Sequence, residues 1–298
     1  MTPSFKYEGA LRRRARQMRR LIAAGAHRAA WGAPVVPAYW WDGHPNFGDA
    51  LTPWLLPRYG IVPVYREPRQ ARLAGVGSLL EFFSSDYDGA IWGTGLMTDV
   101  EQKMPSASVL ALRGPLTAER IGAGEVPYGD PGLLVARHVR RPARRSAVVA
   151  VPHGHHRGHA GLAALLASEP GRARTVNVHQ SAGAAVREIA SGEAVLTTSL
   201  HGLITADAYG IPAVWTMLEP ALTGGDFKFR DYEAAVTPGR TRYVDFDDLR
   251  TLDDVQRLAR TADAARVSAL AGGLERSLAR LTEVIPALPR YPLGALRR

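Results

Sequence analysis

The chain has 298 residues, long enough for two domains of ordinary size, and its 46% hydrophobic content is that of a globular protein. A formal charge of +9 suits a polyanion, an anionic membrane surface or small anionic substrates. With no cysteine, disulfides, Cys-based zinc sites and thiol nucleophiles are excluded, which fits a reducing compartment. No apolar run approaches the roughly 20 residues of a membrane span, and no apolar signal-peptide stretch follows the basic N-terminal residues.

Residues 1–30 read as a basic amphipathic helical segment. Six arginines fall within residues 11–22, while Leu11, Ala15, Met18 and Ile22 share one helical face. Two readings stand: a solvated terminal helix, or a helix resting on anionic lipid. Nucleic acid has no support, because there is no RNP pattern, helix-turn-helix or aromatic-interleaved basic stripe.

From residue 31 the pattern alternates strand and helix. Strands are expected at 35–41, 61–65, 90–92, 109–112 and 126–128, and helices at 50–59, 73–83 and 116–121. The basic, proline-containing stretch 137–145 reads as a linker, dividing a domain at 31–140 from one at 141–285. The second half resumes with strands at 146–151 and 175–178 and helices at 158–167 and 182–190. Residues 194–215 then form a strand–turn–helix–turn–strand unit, with Gly210 and Pro212 ending its helix at 203–209. A long helical stretch follows at 252–285, where Gly272-Gly273 could break it, and the tail 286–298 is expected to be poorly ordered. This alternation predicts an α/β fold with two parallel, helix-flanked sheets.

Polar residues recur just after the predicted strands: Asn46 and Asp49, Thr94, Arg113, Asp130, His153 and His201. Open α/β sheets bind ligands at such strand ends, and a helix start there favours an anion. Each residue also has a plainer reading. Asp49 could cap the next helix, Asp130 and Thr94 could shape turns, and Asn46 could bond its own loop. His201 could be a hydrogen-bonded structural histidine. Arg113, Lys228 and Arg230 could be exposed charges. His153, His155, His156 and His159 have the composition of a metal cluster without a zinc spacing, so a solvated loop is the plainer reading; only His153 is placed to touch ligand.

Six motifs in order carry a resemblance: NFGD (46–49), WGTG (92–95), RGP (113–115), GDPG (129–132), SLHG with a downstream GIP (199–202, 210–212) and FKFRDY (227–232). Together they resemble the polysaccharide pyruvyl transferase family, in particular its exopolysaccharide branch that forms pyruvate ketals on a terminal sugar. The resemblance runs from about residue 39 to about 232. It implies two Rossmann-like domains arranged as in GT-B glycosyltransferases, with a cleft between them. It also implies phosphoenolpyruvate as donor and a sugar of a polysaccharide repeat unit as acceptor, often lipid-linked at the cytoplasmic membrane face. A cytoplasmic enzyme, with a peripheral place at the inner face of the plasma membrane, is the corresponding expectation. Related enzymes often carry Arg-Leu-His where this chain has Ser199-Leu200-His201, so another cation must replace that arginine.

Phosphoenolpyruvate carries a carboxylate and a phosphate, and guanidinium or ammonium groups suit both. Arg113, Lys228 and Arg230 are the expected donor-binding cations, helped by N–H groups around His201 and Gly202. Ketal formation needs a general acid and a base with pKa values near the working pH. His201 is the expected acid or phosphate contact and Asp49 the expected base. Asn46, Asp49 and Thr94 are expected on the acceptor side, with Ser199, His153 and Asp130 as further site residues. The chemistry asks for no metal or other cofactor, since fixed positive charge can stabilise the leaving phosphate. The rivals are a nucleotide-sugar glycosyltransferase of GT-B type and a non-catalytic glycan-binding protein derived from the enzyme.

Overall fold

The computed structural model of the chain describes residues 9–296. The first eight residues of the expected N-terminal segment and the last two of the tail lie outside them. The chain opens with helix α1 (Ala10–Gly25) and continues into β1 (Val35–Tyr39), α2 (Leu51–Leu55), β2 (Val62–Tyr65), β3 (Leu73–Ala74), β4 (Ala90–Thr94) and β5 (Ser108–Leu112). These five strands form one parallel sheet in the order β2-β1-β3-β4-β5. Every residue of β4, at its interior, is buried, as a parallel sheet covered on both faces requires.

The expected helix at 73–83 does not form. Leu73 and Ala74 instead make a two-residue strand between β1 and β4. Beyond it, Gly77 has φ +117°, and a Cβ on Gly75 would lie 2.6 Å from Thr52 Oγ1. The N–H of Val76 donates to that same hydroxyl, so this backbone is committed to an extended loop. Only Leu80–Phe82 turns, as a 3-10 helix. The strand expected at 126–128 reduces to one bridge between Leu112 and Tyr128.

After α3 (Pro115–Ile121) and α4 (Val135–His138), an irregular crossing at 139–145 leads to the second sheet. Its elements are β6 (Ser146–Val151), α5 (Ala160–Ala167), β7 (Ala173–Thr175), α6 (Ala182–Ala190), β8 (Gly192–Thr197), α7 (Leu200–Ala208) and β9 (Ala213–Trp215). All pairings are parallel, in the order β7-β6-β8-β9. Helix α7 starts three residues earlier than expected, which places His201 in its first turn.

The residues expected in a turn-rich segment around Lys228 form α8 (Phe227–Val236). The long helical stretch breaks into α9 (Leu252–Leu258), α10 (Ala264–Ala279) and α11 (Leu281–Val284). The break falls at 259–263, where Arg260 bridges to Ala213 and Asp263 caps α10 by accepting from the Arg266 N–H. Gly272-Gly273 stays inside α10.

The C-terminal helix does not stay with the second half. α10 crosses back to the first sheet, where the Trp92 indole N–H donates to the Leu274 carbonyl at 3.0 Å. One buried apolar cluster joins Trp92 and Leu133 to Ile204 and Val195, so the two sheets share a core. The tail is tied down too. The Val35 N–H donates to the Pro289 carbonyl, and Arg290 bridges to Pro34.

Helix α1 docks with its polarity reversed from the usual sense. Arg16 and Arg20 each place a guanidinium nitrogen 2.7 Å from Asp42 Oδ1, and Arg13 reaches Glu67 and the Tyr65 hydroxyl. Leu11, Met18 and Ile22 are more than half exposed. Three arginines, with Gln17, Leu21 and Ala24, therefore make the protein contact while Leu11, Met18 and Ile22 face outward.

Candidate functional site

Each sheet reverses its winding direction once, and the two reversals meet. In the first sheet β2 lies on one side of β1 and β3 on the other. In the second, β7 lies on one side of β6 and β8 on the other. The loops leaving such paired strands splay apart and leave a crevice at the carboxyl ends. A cleft of about 360 Å³ occupies this position. After β1 its wall carries Asn46 and Asp49, after β3 Ser78, after β6 His153 and His155, and after β8 Ser199 and His201. Lys228, in the first turn of α8, completes it.

The sequence of the NFGD loop follows from packing. Asn46 Oδ1 accepts from the Gly48 N–H at 2.9 Å and fixes the turn. A Cβ on Gly48 would lie 2.1 Å from His201 Nδ1, so only glycine lets the imidazole rest on this backbone. Phe47, fully buried, meets the same ring edge-on at 6.2 Å. Asp49 does not cap α2, whose start has no side-chain cap; it faces the cleft instead.

His201 Nε2 points away from the loop, 3.8 Å from Asp130 Oδ2. Both atoms are buried without a hydrogen-bond partner. The other oxygen, Asp130 Oδ1, accepts from the Gly132 N–H at 2.7 Å, so the turn role of GDPG is real but uses half of the carboxyl. Two facing polar atoms left unbonded are costly in a core, and they mark a place where a proton can be held.

Burial sets the charge states. It pushes His201 down to about 3, with Arg113 and Lys228 adding repulsion, so the imidazole is neutral in the free cleft. The same cause pushes His153 down to about 2. Burial raises Asp49 and Asp130 to about 7 each. Lys228 falls to about 8 through burial and the nearby Arg113, with Asp49 opposing. Three groups thus titrate close to neutrality around one crevice, as acid–base and anion-binding sites require.

Several expected site residues lie elsewhere. Arg113 is fully buried beneath the cleft, not in its wall. Its Nε bonds Asp231 at 2.8 Å, and its two terminal nitrogens bond Ser78 Oγ and the Leu96 carbonyl. Asp231 also accepts from the Thr117 N–H and hydroxyl, so every nitrogen of Arg113 and both oxygens of Asp231 are bonded within the protein. Arg230 points out on the far face of α8, paired with Asp226 at 3.0 Å. Thr94 is buried and donates to the Gly77 carbonyl at 2.6 Å. Gly202 is a packing residue, since a Cβ there would lie 2.4 Å from Thr197 Oγ1. Of the expected cations, Lys228 alone lines the cleft.

The histidine run divides. His153 and His155 line the cleft; His156 is buried and bonded to Thr198 Oγ1 and the Pro220 carbonyl; His159 caps α5. Among the described residues, no group of three His, Cys, Asp or Glu side chains is placed to hold a metal. Spacing missed Trp41, His44, Ser78 and Leu222 in the cleft wall. Ser78 and Trp41 follow the carboxyl ends of β3 and β1 and were findable once β3 was recognised as a strand.

A parallel α/β fold with a cleft at its strand ends has the crevice where open α/β sheets bind ligands. Residues 100–217 match the family model described as polysaccharide pyruvyl transferase. The succinoglycan biosynthesis protein ExoV of Rhizobium meliloti (strain 1021) is 30% identical over 211 residues, which are 66% of this chain and 64% of that protein. Over residues 100–217 the chain is similar to the polysaccharide pyruvyl transferase family. Its alignment spans just under two thirds of that curated relative. The family match includes Arg113, Asp130, Ser199 and His201, whereas Asn46, Asp49 and Lys228 lie outside it. Two solved structures of the wall teichoic acid polymerase TagF overlay with TM-scores of 0.44 and 0.39 at 9% and 11% identity, each over 93% of this chain and 97% of the other.

Proposed function

We propose that this protein is a phosphoenolpyruvate-dependent pyruvyltransferase. It moves the pyruvyl group onto two hydroxyls of a sugar in a polysaccharide repeat unit, forms a cyclic ketal and releases phosphate. The observation that carries the reading is the meeting of Lys228, Asp49 and His201 in one cleft, with the unbonded His201–Asp130 pair behind them.

The donor's carboxylate and phosphate need positive charge. Lys228 supplies it in place of the arginine that Ser199 lacks, together with the start of α7, where the N–H of Gly202 is already given to the Ser199 carbonyl and those of Leu200 and His201 precede it. A bound anion opposes the shift that keeps His201 neutral, so donor binding draws a proton onto the imidazole. His201 then gives that proton to C3 of the enol, leaving C2 with oxocarbenium character. Asp130, titrating near 7, resupplies Nε2. Asp49 takes the proton of the first sugar hydroxyl as its oxygen bonds C2. The C2–O bond to phosphate then breaks, returning oxocarbenium character to C2; the second hydroxyl bonds C2 and its proton passes to the departing phosphate. Asn46 and His153 border the acceptor side of this path. The reaction calls for no cofactor, because the fixed cation meets the leaving phosphate.

Thermal stabilisation tests the donor. Phosphoenolpyruvate should raise Tm where UDP- and GDP-sugars do not, and a shift with a nucleotide sugar alone would replace this reading by glycosyl transfer. Phosphate released from phosphoenolpyruvate only when a sugar acceptor is present would separate an enzyme from a glycan-binding protein.

A further inference from the structure

We infer that the outward face of α1, with Trp31 and the C-terminal tail, is a docking surface for an anionic lipid bilayer. The inference is independent of the reaction proposed for the cleft. Three observations carry it. First, the arginines that could have solvated α1 are split. Arg13, Arg16 and Arg20 are spent on Asp42, Glu67 and Tyr65. Arg12, Arg14 and Arg19 stay exposed and flank the stripe of Leu11, Ala15, Met18 and Ile22 on both sides. At 100° per residue the stripe is centred between Arg14 on one edge and Arg12 with Arg19 on the other. Holding a helix by its polar face leaves its apolar face in water, which needs a partner.

Second, the apolar surface does not end with the helix. The tail pairs with residues 32–35, and a Cβ on Gly25 would strike the Tyr291 ring, so the tail lies beside the end of α1. It carries Leu293 and Leu296, both about three quarters exposed, just beyond Tyr291, whose carbonyl accepts from the Gly32 N–H next to Trp31, itself 82% exposed. An exposed tryptophan among leucines and arginines suits the boundary between headgroups and acyl chains.

Third, the charge is of one sign. No Asp or Glu occurs between Glu8 and Asp42, or after Glu283. A protein partner would meet a mixed surface, whereas phosphate-rich headgroups meet arginine on both sides of a shallow apolar ridge. Docking would be felt at the cleft, because Asp42, which anchors Arg16 and Arg20, adjoins Trp41 in the cleft wall.

Co-sedimentation of the full chain with vesicles of phosphatidylcholine alone, or with one third phosphatidylglycerol, tests the surface. Binding should need the anionic lipid and weaken several-fold when salt is raised from 50 to about 300 mM. The triple variant Leu11→Glu, Met18→Glu, Ile22→Glu should lose at least tenfold in apparent affinity with an unchanged Tm. Trp31→Ala, in a different segment, should lose several-fold, which keeps the test decisive if the triple variant folds poorly. Vesicle binding retained by both variants would overturn the inference. So would a wild-type dimer that the triple variant dissolves without any vesicle binding, since a second copy would then be what covers the face.

Discussion

Two buried acid–base pairs lie under the same cleft, and they are built oppositely. In Arg113–Asp231 the contact is 2.8 Å, and the remaining donors and acceptors reach Ser78, Leu96 and Thr117. In His201–Asp130 the facing atoms stand 3.8 Å apart, and neither has a hydrogen-bond partner in the protein. The first pair joins β5 to α8 and is tied at every nitrogen and oxygen to the protein. The second leaves one ring nitrogen and one carboxyl oxygen unbonded. A motif arginine and a motif histidine, equally prominent in the sequence, therefore divide into a bolt and the group proposed to react.

The largest test breaks the bolt. Arg113→Ala leaves the Asp231 carboxylate buried without its cation and should cost about 3–5 kcal/mol of stability, read by urea unfolding. A variant that unfolded like wild type and merely needed more phosphoenolpyruvate would return Arg113 to the donor site. The second breaks the open pair. His201→Ala should lower kcat by about 10²–10⁴-fold while Tm stays within a few degrees. Full turnover in a folded variant would end its proposed role.

The third perturbs the cation between them. Lys228→Ala should raise the KM for phosphoenolpyruvate at least tenfold with a smaller change in kcat. Because Lys228 titrates near 8, wild-type KM should climb above that pH as the ammonium is lost. Lys228→Arg should bind without that limb; identical pH profiles would count against the assignment.

The smallest sharpens the open pair itself. Asp130→Asn keeps an oxygen for the Gly132 N–H and removes the proton site, so turnover should fall about tenfold. Its stability has a definite sign. A carboxyl raised to about 7 when folded holds a proton that the unfolded chain releases near 4, so its contribution declines as pH rises between those values. The variant should therefore gain on wild type by up to about 1.4 kcal/mol per pH unit from 4 to 7 and no further above it. Parallel stability curves would show that Asp130 is already ionised.

Much of this was legible beforehand. The β6 and α6 bounds fall where their apolar periodicity places them; of the strand-end residues Asn46, Asp49, His153 and His201 line one cleft while Thr94, Arg113 and Asp130 do not, and Ser199 and Lys228 join them from the motifs of the resemblance. What escaped has a common cause: strand-end position fixes a loop, not the direction of a side chain. Arg113 turns inward because Asp231, 118 residues away, waits there. No spacing rule encodes that meeting. β3 escaped because two apolar residues inside the run 73–83 fit a helix equally well, until Thr52 claims the backbone after them. The return of α10 escaped because an amphipathic stripe does not say which sheet it covers.

That return has a consequence for how the gene could be divided. Severing the chain at 139–145, the natural-looking seam, would strip α10 from the first sheet and leave the Trp92 indole without its acceptor. Neither fragment would own a finished interior. The halves should recover activity only when expressed together, each acting as the other's missing piece, which makes this crossing a site for a split reporter and not for separating two self-sufficient modules.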